Sequence, residues 1–219
     1  MNRVYLDYNA SAPLREEARE AMVHAMALAG NPSSVHAEGR QARAIVETAR
    51  QQVAAALGAQ GADVIFTSGA TEAAGLALTG RGIRCANIEH EAVSSWCQSD
   101  LSCGLDGGVA CQAPGATALQ LANSETGILQ QLPDGLALCD MTQAFGKLPV
   151  AFHWSGATMA LVSAHKIGGP KGVGALIVKR GTEVAAQIKG GGQEMGRRSG
   201  TENVIGIDLR ARDWQMQWM

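Results

Sequence analysis

The 219-residue chain is poor in aromatic side chains, at 4%, and has only six prolines. It also lacks a basic excess. Eighteen Lys+Arg stand against 20 Asp+Glu, a formal net charge of -2, so the attraction that drives binding to phosphate backbones is missing and nucleic acid is not an expected partner. The five cysteines (Cys85, Cys97, Cys103, Cys111 and Cys139) are odd in number and form no C-x-x-C pair, which argues against a disulfide framework and a zinc knuckle and for a reducing compartment. No run approaches the ~18 apolar residues of a membrane span, and Asp7 sits where a signal peptide needs its apolar segment. These absences point to a soluble, cytoplasmic protein with no membrane partner. What is present is 46% hydrophobic residues and 27 glycines. That is enough apolar matter to bury the core of one large domain or two small ones, with the tight turns and close backbone approaches that α/β folds use around anionic ligands.

The N-terminal region reads as helical. Ala18, Met22, Ala25 and Met26 recur at helical spacing within residues 15–28, and Gly30, Asn31 and Pro32 supply a stop. Ser33 or Ser34 is predicted to cap a second helix over residues 35–57, which Gly58 closes. Beyond it the texture changes to short apolar runs at 64–66, 86–88, 118–121, 136–138, 159–162 and 174–178, separated by polar or Gly-rich connectors. Such runs suit strands buried on both faces, and a helix-compatible segment at 71–78 lies between two of them. The predicted architecture is α/β, with a mixed, mostly parallel sheet flanked by helices and its ligand at the carboxyl ends of the strands. Residues 97–117 are expected to be weakly structured, and residues 207–219 carry two Trp without a clear amphipathic stripe.

Four local elements could carry chemistry. In Phe66-Thr67-Ser68-Gly69-Ala70-Thr71-Glu72 a strand turns directly into a helix, whose unpaired N–H groups and positive dipole end suit a phosphate. Alone, it reads more simply as Ser68 or Thr71 capping that helix. Ser163-Ala164-His165-Lys166 follows another apolar strand, and a desolvated lysine there could attack a carbonyl; singly, Lys166 reads as a solvated loop residue. The G-x-x-x-x-G-K-[ST] order of a nucleotide P-loop is absent, because Lys171 is followed by Gly172. Asp140 closes a third strand, with Gln143 three residues on, and either serves a ligand or caps the next helix. His90 follows a fourth strand, and a lone histidine is more often a surface or satisfied core residue than a catalyst.

Taken in order, a phosphate turn, a strand-end His, a strand-end Asp with its Gln, and a His-Lys pair make up what pyridoxal 5'-phosphate requires. Here the chain resembles the NifS-like cysteine desulfurases, within the class V aminotransferase family of fold type I enzymes. The matching stretches are YLDYNASAP at 5–13, GNPSSVH at 30–36, FTSGATE at 66–72, EH at 89–90, NSETG at 123–127, DMTQ at 140–143, SAHKIGGPKG at 163–172 and GGGQEMGRRSGT at 190–201. The resemblance implies Lys166 as Schiff-base lysine and proton shuttle, and His90 as ring-stacking group and proton-transfer assistant. Asp140 would serve as partner of the pyridine nitrogen and Gln143 as donor to the phenolic oxygen. Ala70, Thr71, Ser163 and His165 would form the phosphate site. Thr201 would reach the phosphate of a partner subunit, which implies a homodimer.

The implied activity converts L-cysteine to L-alanine and passes sulfur to a protein persulfide and then to an acceptor protein, as in iron-sulfur cluster assembly. Where the family has Asn-Asn-Glu the chain has Asn123-Ser124-Glu125, and the resemblance implies that Ser124 stands where a longer amide faces the cofactor, with a shorter reach. The stretch between His90 and Asn123 is short for the family. The nucleophilic cysteine and the substrate-clamping arginine of the family lie C-terminal to the motif ending at Thr201, and neither is recognisable here. Residues 1–206 are expected to form the N-terminal segment and cofactor-binding domain and 207–219 a nonmatching tail, with the small C-terminal domain missing or incomplete. Two other functions stay open: a catalytically silent cofactor-binding or dimerisation module, and another class V activity such as selenocysteine lyase or aminotransferase. No metal site is expected.

Overall fold

The structure, a computed structural model, describes residues 3–208. Its elements run α1 (Glu16–Met26), α2 (Ala37–Ala56), β1 (Asp63–Thr67), α3 (Ala70–Leu78), β2 (Arg84–Ala86), α4 (Glu91–Ser94), β3 (Gln98–Leu101), β4 (Ala118–Gln120), β5 (Leu138–Asp140), β6 (Met159–Ser163), β7 (Gly174–Val178) and α5 (Val204–Ile207). Side chains alternate across a strand, so a run that is apolar at every position must bury both faces. Val64, Phe66, Ala160, Val162, Ala175 and Ile177 pack on one side with Val46, Ala49 and Val53 of α2. Ile65, Met159, Leu161, Leu176 and Val178 pack on the other with Ala73, Ala74 and Leu76 of α3 and Val93 of α4. The unbroken apolar runs of the sequence are thus the middle layer of a three-layer α/β fold.

The main sheet has the order β1-β7-β6-β5-β4. β4, β5 and β6 pair in parallel, while β7 is antiparallel to both β1 and β6. β1, β4, β5 and β6 therefore end on the same edge, and β7 begins there. β2 and β3 form a parallel pair, linked towards β4 by a parallel bridge between Arg84 and Thr117. At the shared edge Gly174 is obligatory for steric reasons: a Cβ on it would lie 2.6 Å from the backbone of Gly69, so the start of β7 can press against the turn into α3. Among the described residues no helix is long and apolar enough to cross a membrane.

Several boundaries differ from the sequence expectation. The cap of α2 is His36, whose ring nitrogen accepts from Gly39 N, not Ser33 or Ser34. Both serines instead sit in a turn on Asn31, where Ser33 N donates to its side chain and Ser34 N to its carbonyl. Gly30 does not cap α1, whose C-cap is Ala27; it allows a close approach, since a Cβ there would meet Glu38 O at 1.9 Å. Gly58 does adopt the left-handed conformation after α2, at φ +56°. β2 lies two residues upstream of the apolar run at 86–88 because its partner is β3, a polar edge strand inside the stretch expected to be weakly structured. β5 starts at Leu138 rather than Leu136, so Asp140 is a strand residue, opposite Gln120 and Leu161. The tail at 209–219, with both of its Trp residues, lies outside the described residues.

Candidate active site

The strand ends enclose a cavity of about 470 Å³, within the range of small-molecule sites. Nine of the ten predicted site residues line it: Ala70, Thr71, His90, Ser124, Asp140, Gln143, Ser163, His165 and Lys166. Thr201 does not; it is exposed and lies outside the lining. Each of the nine arrives by a short route. α3 starts three residues after β1, His90 precedes α4, Asp140 ends β5, and Lys166 closes a 3-10 turn (Ala164–Lys166) directly after β6.

The α3 end of the cavity is built for an anion. Neither Ser68 nor Thr71 caps α3: the cap is Gly69, with no side-chain hydrogen bond, so the N–H groups of the first turn stay open towards the cavity. Ser163, His165, Lys166 and Lys171 line the same cavity. Burial, together with the charges of Lys166 and Lys171, pulls the His165 imidazole below its usual pKa, so it enters this cationic site as a neutral ring.

Asp140 is buried, and its Oδ1 accepts from Thr142 N at 2.8 Å. Burial raises its pKa, and hydrogen bonding from Thr142 with the nearby His90 and Lys166 offsets this only in part. No ion pair holds this carboxylate among the described residues. The Thr142 hydroxyl beside it is buried without a partner. His90 Nδ1 accepts from Ala92 N at 3.0 Å, which in the neutral ring leaves the proton on Nε2.

An N-terminal strap crosses this arrangement. Lys166 Nζ donates to Asn9 O at 2.9 Å and Ala10 O at 3.1 Å, and Gln143 Nε2 donates to the same Asn9 carbonyl at 3.0 Å. Ser11 Oγ lies 3.2 Å from His165 Nδ1, and Ala12 N donates to His165 O at 2.8 Å. Lys147 donates to Gln143 Oε1, which fixes the amide with its NH2 towards the strap.

Ala10, Ser11, Glu72, Gln120, Thr142 and Lys171 line the cavity without having been singled out in the sequence. Glu89, the first residue of the EH stretch, stands behind the wall. It is buried, its Oε1 accepts from Gln120 N at 2.9 Å and its Oε2 has no partner. Burial pushes its carboxyl to about 8, against the Gln120 bond and aided by the charge of Asp140. The FTSGATE, YLDYNASAP and EH matches include Glu72, the strap and Glu89; nothing local in the sequence marks the burial of Glu89.

The donor set fits pyridoxal 5'-phosphate: open helix N–H groups and cations at one end, a lysine amine beside them, and a buried acid with no cation of its own. A sheet order with one antiparallel strand, carrying this lysine and acid at neighbouring strand ends, defines the large domain of a fold type I pyridoxal phosphate-dependent transferase. More narrowly, the chain belongs to the aminotransferase class-V family, whose model matches residues 4–106 and 113–209. It is 37% identical to a cysteine desulfurase of Frankia sp. over 93% of this chain and 60% of that protein. A solved NifS-like protein from Rickettsia africae superimposes with a TM-score of 0.86 at 30% identity, over 96% of this chain and 67% of the other. A structure described as SspA in complex with cysteine superimposes with a TM-score of 0.85 at 28% identity, covering 95% and 71%. The chain thus spans about three fifths of the curated relative's length.

Proposed function

We propose that the chain is a pyridoxal 5'-phosphate-dependent cysteine desulfurase, which converts L-cysteine to L-alanine and delivers sulfur, as a protein persulfide, to an acceptor protein. The observation that carries this reading is the meeting of Lys166 and Asp140, 26 positions apart, in one cavity with the open N-terminus of α3. The cofactor supplies an electron sink that stabilises negative charge at the substrate Cα. Lys166 would hold the cofactor through its amine and would take and return the Cα proton. Asp140 would keep a proton at the ring nitrogen, because a buried carboxylate with no ion pair among the described residues favours a cationic partner. His90 would stack on the ring and assist proton transfer, and Gln143, oriented by Lys147, would donate to the phenolic oxygen. Ala70, Thr71, Ser163 and His165 hold the phosphate, and Ser124 takes the place of a longer amide.

Thr201 serves the phosphate of a second copy in a homodimer; its exposed position outside its own chain's cavity suits that role. All five cysteines are free thiols, which suits a reducing cytoplasm. Residues 1–206 act as the cofactor-binding unit.

A second reading, a cofactor-binding module without sulfur transfer, is favoured by one observation: among the described residues the cavity lining contains no cysteine and no arginine. Sulfur transfer needs a thiolate, and a substrate carboxylate is best held by a bidentate guanidinium. Incubation of the 219-residue chain with pyridoxal 5'-phosphate, L-cysteine and excess dithiothreitol, which reduces a protein persulfide and frees its outer sulfur as sulfide, separates the two. Sustained, stoichiometric release of alanine and sulfide is expected of the desulfurase, whereas cofactor binding without either product leaves the module.

A further inference from the structure

We propose that Arg198 is a positioning residue for the anion end of the cavity: by pairing with Glu72 it cancels the one acidic charge there and so allows a phosphate ester to bind. This deepens the cofactor-binding reading above and rests on it. Glu72 lines the cavity in the first turn of α3, next to Ala70 and Thr71. A free carboxylate at that place would repel a phosphate dianion, and in a partly buried site the repulsion is only weakly screened. Arg198, 126 positions later, donates from Nε to Glu72 Oε1 at 2.8 Å and from Nη2 to Oε2 at 3.5 Å. Glu72 Oε2 also accepts from Ser68 N at 2.7 Å. The carboxylate is thus spent on a guanidinium and on the N–H that precedes the Gly69 cap, and the N–H groups of the α3 first turn are left for the ligand.

Two other acids nearby are already paired. Glu194 is paired with Arg50, and Arg197 with Asp63. Glu202 also acts on Arg198 but is not part of the cavity lining. These neighbouring pairs anchor the segment around Arg198 without its help, so its charge can be altered while the local fold is held. Burial raises the Glu72 pKa, but the bonds from Arg198 and Ser68 prevail and lower it, so the carboxylate is ionised within the pair.

The test compares the affinity of cofactor-free protein for pyridoxal 5'-phosphate and for pyridoxal, which lacks the phosphate, by equilibrium dialysis. Wild type should prefer the phosphate ester. In Arg198→Gln the preference should fall about tenfold or more, the scale of one poorly screened like charge, and in the double variant Arg198→Gln/Glu72→Gln it should return to near the wild-type ratio. A merely structural role for Arg198 would weaken both ligands alike and would not be rescued by the second substitution. Preference retained in a folded Arg198→Gln, or lost without rescue, overturns the inference. Should Arg198→Gln not fold, Glu72→Gln alone decides: the freed guanidinium should raise the preference, and an unchanged or lower preference overturns the inference. Wild type binding the two compounds equally would instead sink the cofactor-binding reading, and this inference with it.

Discussion

Two buried acids show how one chain treats the same side-chain chemistry in opposite ways. Glu194, in the glycine-rich segment 190–201, is fully matched: its carboxylate takes two bonds from Arg50, at 2.6 and 3.0 Å, and one from Phe66 N at 2.9 Å. The stem of that interaction is also packed, with the Arg50 guanidinium 5.0 Å from the centre of the Phe66 ring. Asp140, at the sheet edge, has a backbone N–H and no ion pair among the described residues. Satisfying a buried charge inside the protein fixes architecture, whereas leaving it short of a partner keeps it ready for a ligand and raises its pKa at the expense of stability. The segment 190–201 is a brace, and the strand ends are a site.

The comparison can be broken at either end. The largest effect is expected at Lys166: Lys166→Ala should lose the tightly held cofactor, seen as loss of the protein-bound visible absorbance after gel filtration. In Asp140→Asn, cysteine turnover should fall by about 10² or more, the scale of losing a preorganised charge, while the melting temperature stays level or rises because a poorly compensated buried acid has gone. A marked drop in stability would show that Asp140 belongs with the brace. Glu194→Gln should do the reverse. It leaves Arg50 without its buried counter-charge and should lower unfolding free energy in urea by about 3–5 kcal/mol, with cofactor binding preserved in the remaining folded protein.

A smaller effect tests the acid behind the wall. The folded pKa of Glu89 is about 8 against an ordinary 4.5, so the folded protein retains a proton that the unfolded chain releases. Its contribution is therefore intact below pH 4.5 and is lost as the pH rises to about 8, at up to about 1.4 kcal/mol per pH unit. Glu89→Gln should flatten the stability profile across that window; an unchanged slope would remove Glu89 from the set of under-partnered acids.

How much of this could be read from the chain alone follows from the range of the interactions. The layer order and the strand-end positions of Asp140 and Lys166 were legible because burial on both faces leaves continuous apolar runs, and an acid or lysine ending such a run stands out. The limits of β2 and β5 were not, because they are set by hydrogen bonds to partner strands rather than by apolarity. The α2 cap went to His36 because Asn31 had already drawn Ser33 and Ser34 into its own turn. Arg50 with Glu194 and Glu72 with Arg198 join positions more than a hundred residues apart, and no spacing rule reaches that far. The YLDYNASAP stretch is recognisable in the sequence, yet that the Asn9 and Ala10 carbonyls receive the Lys166 amine is a property of the folded chain.

The most direct measurement is chemical. Protein incubated with pyridoxal 5'-phosphate and reduced with borohydride should, after digestion and mass spectrometry, carry the reduced cofactor's mass on the peptide that contains Lys166, in near one-to-one yield. Label spread over surface lysines, or none at position 166, would contradict the account.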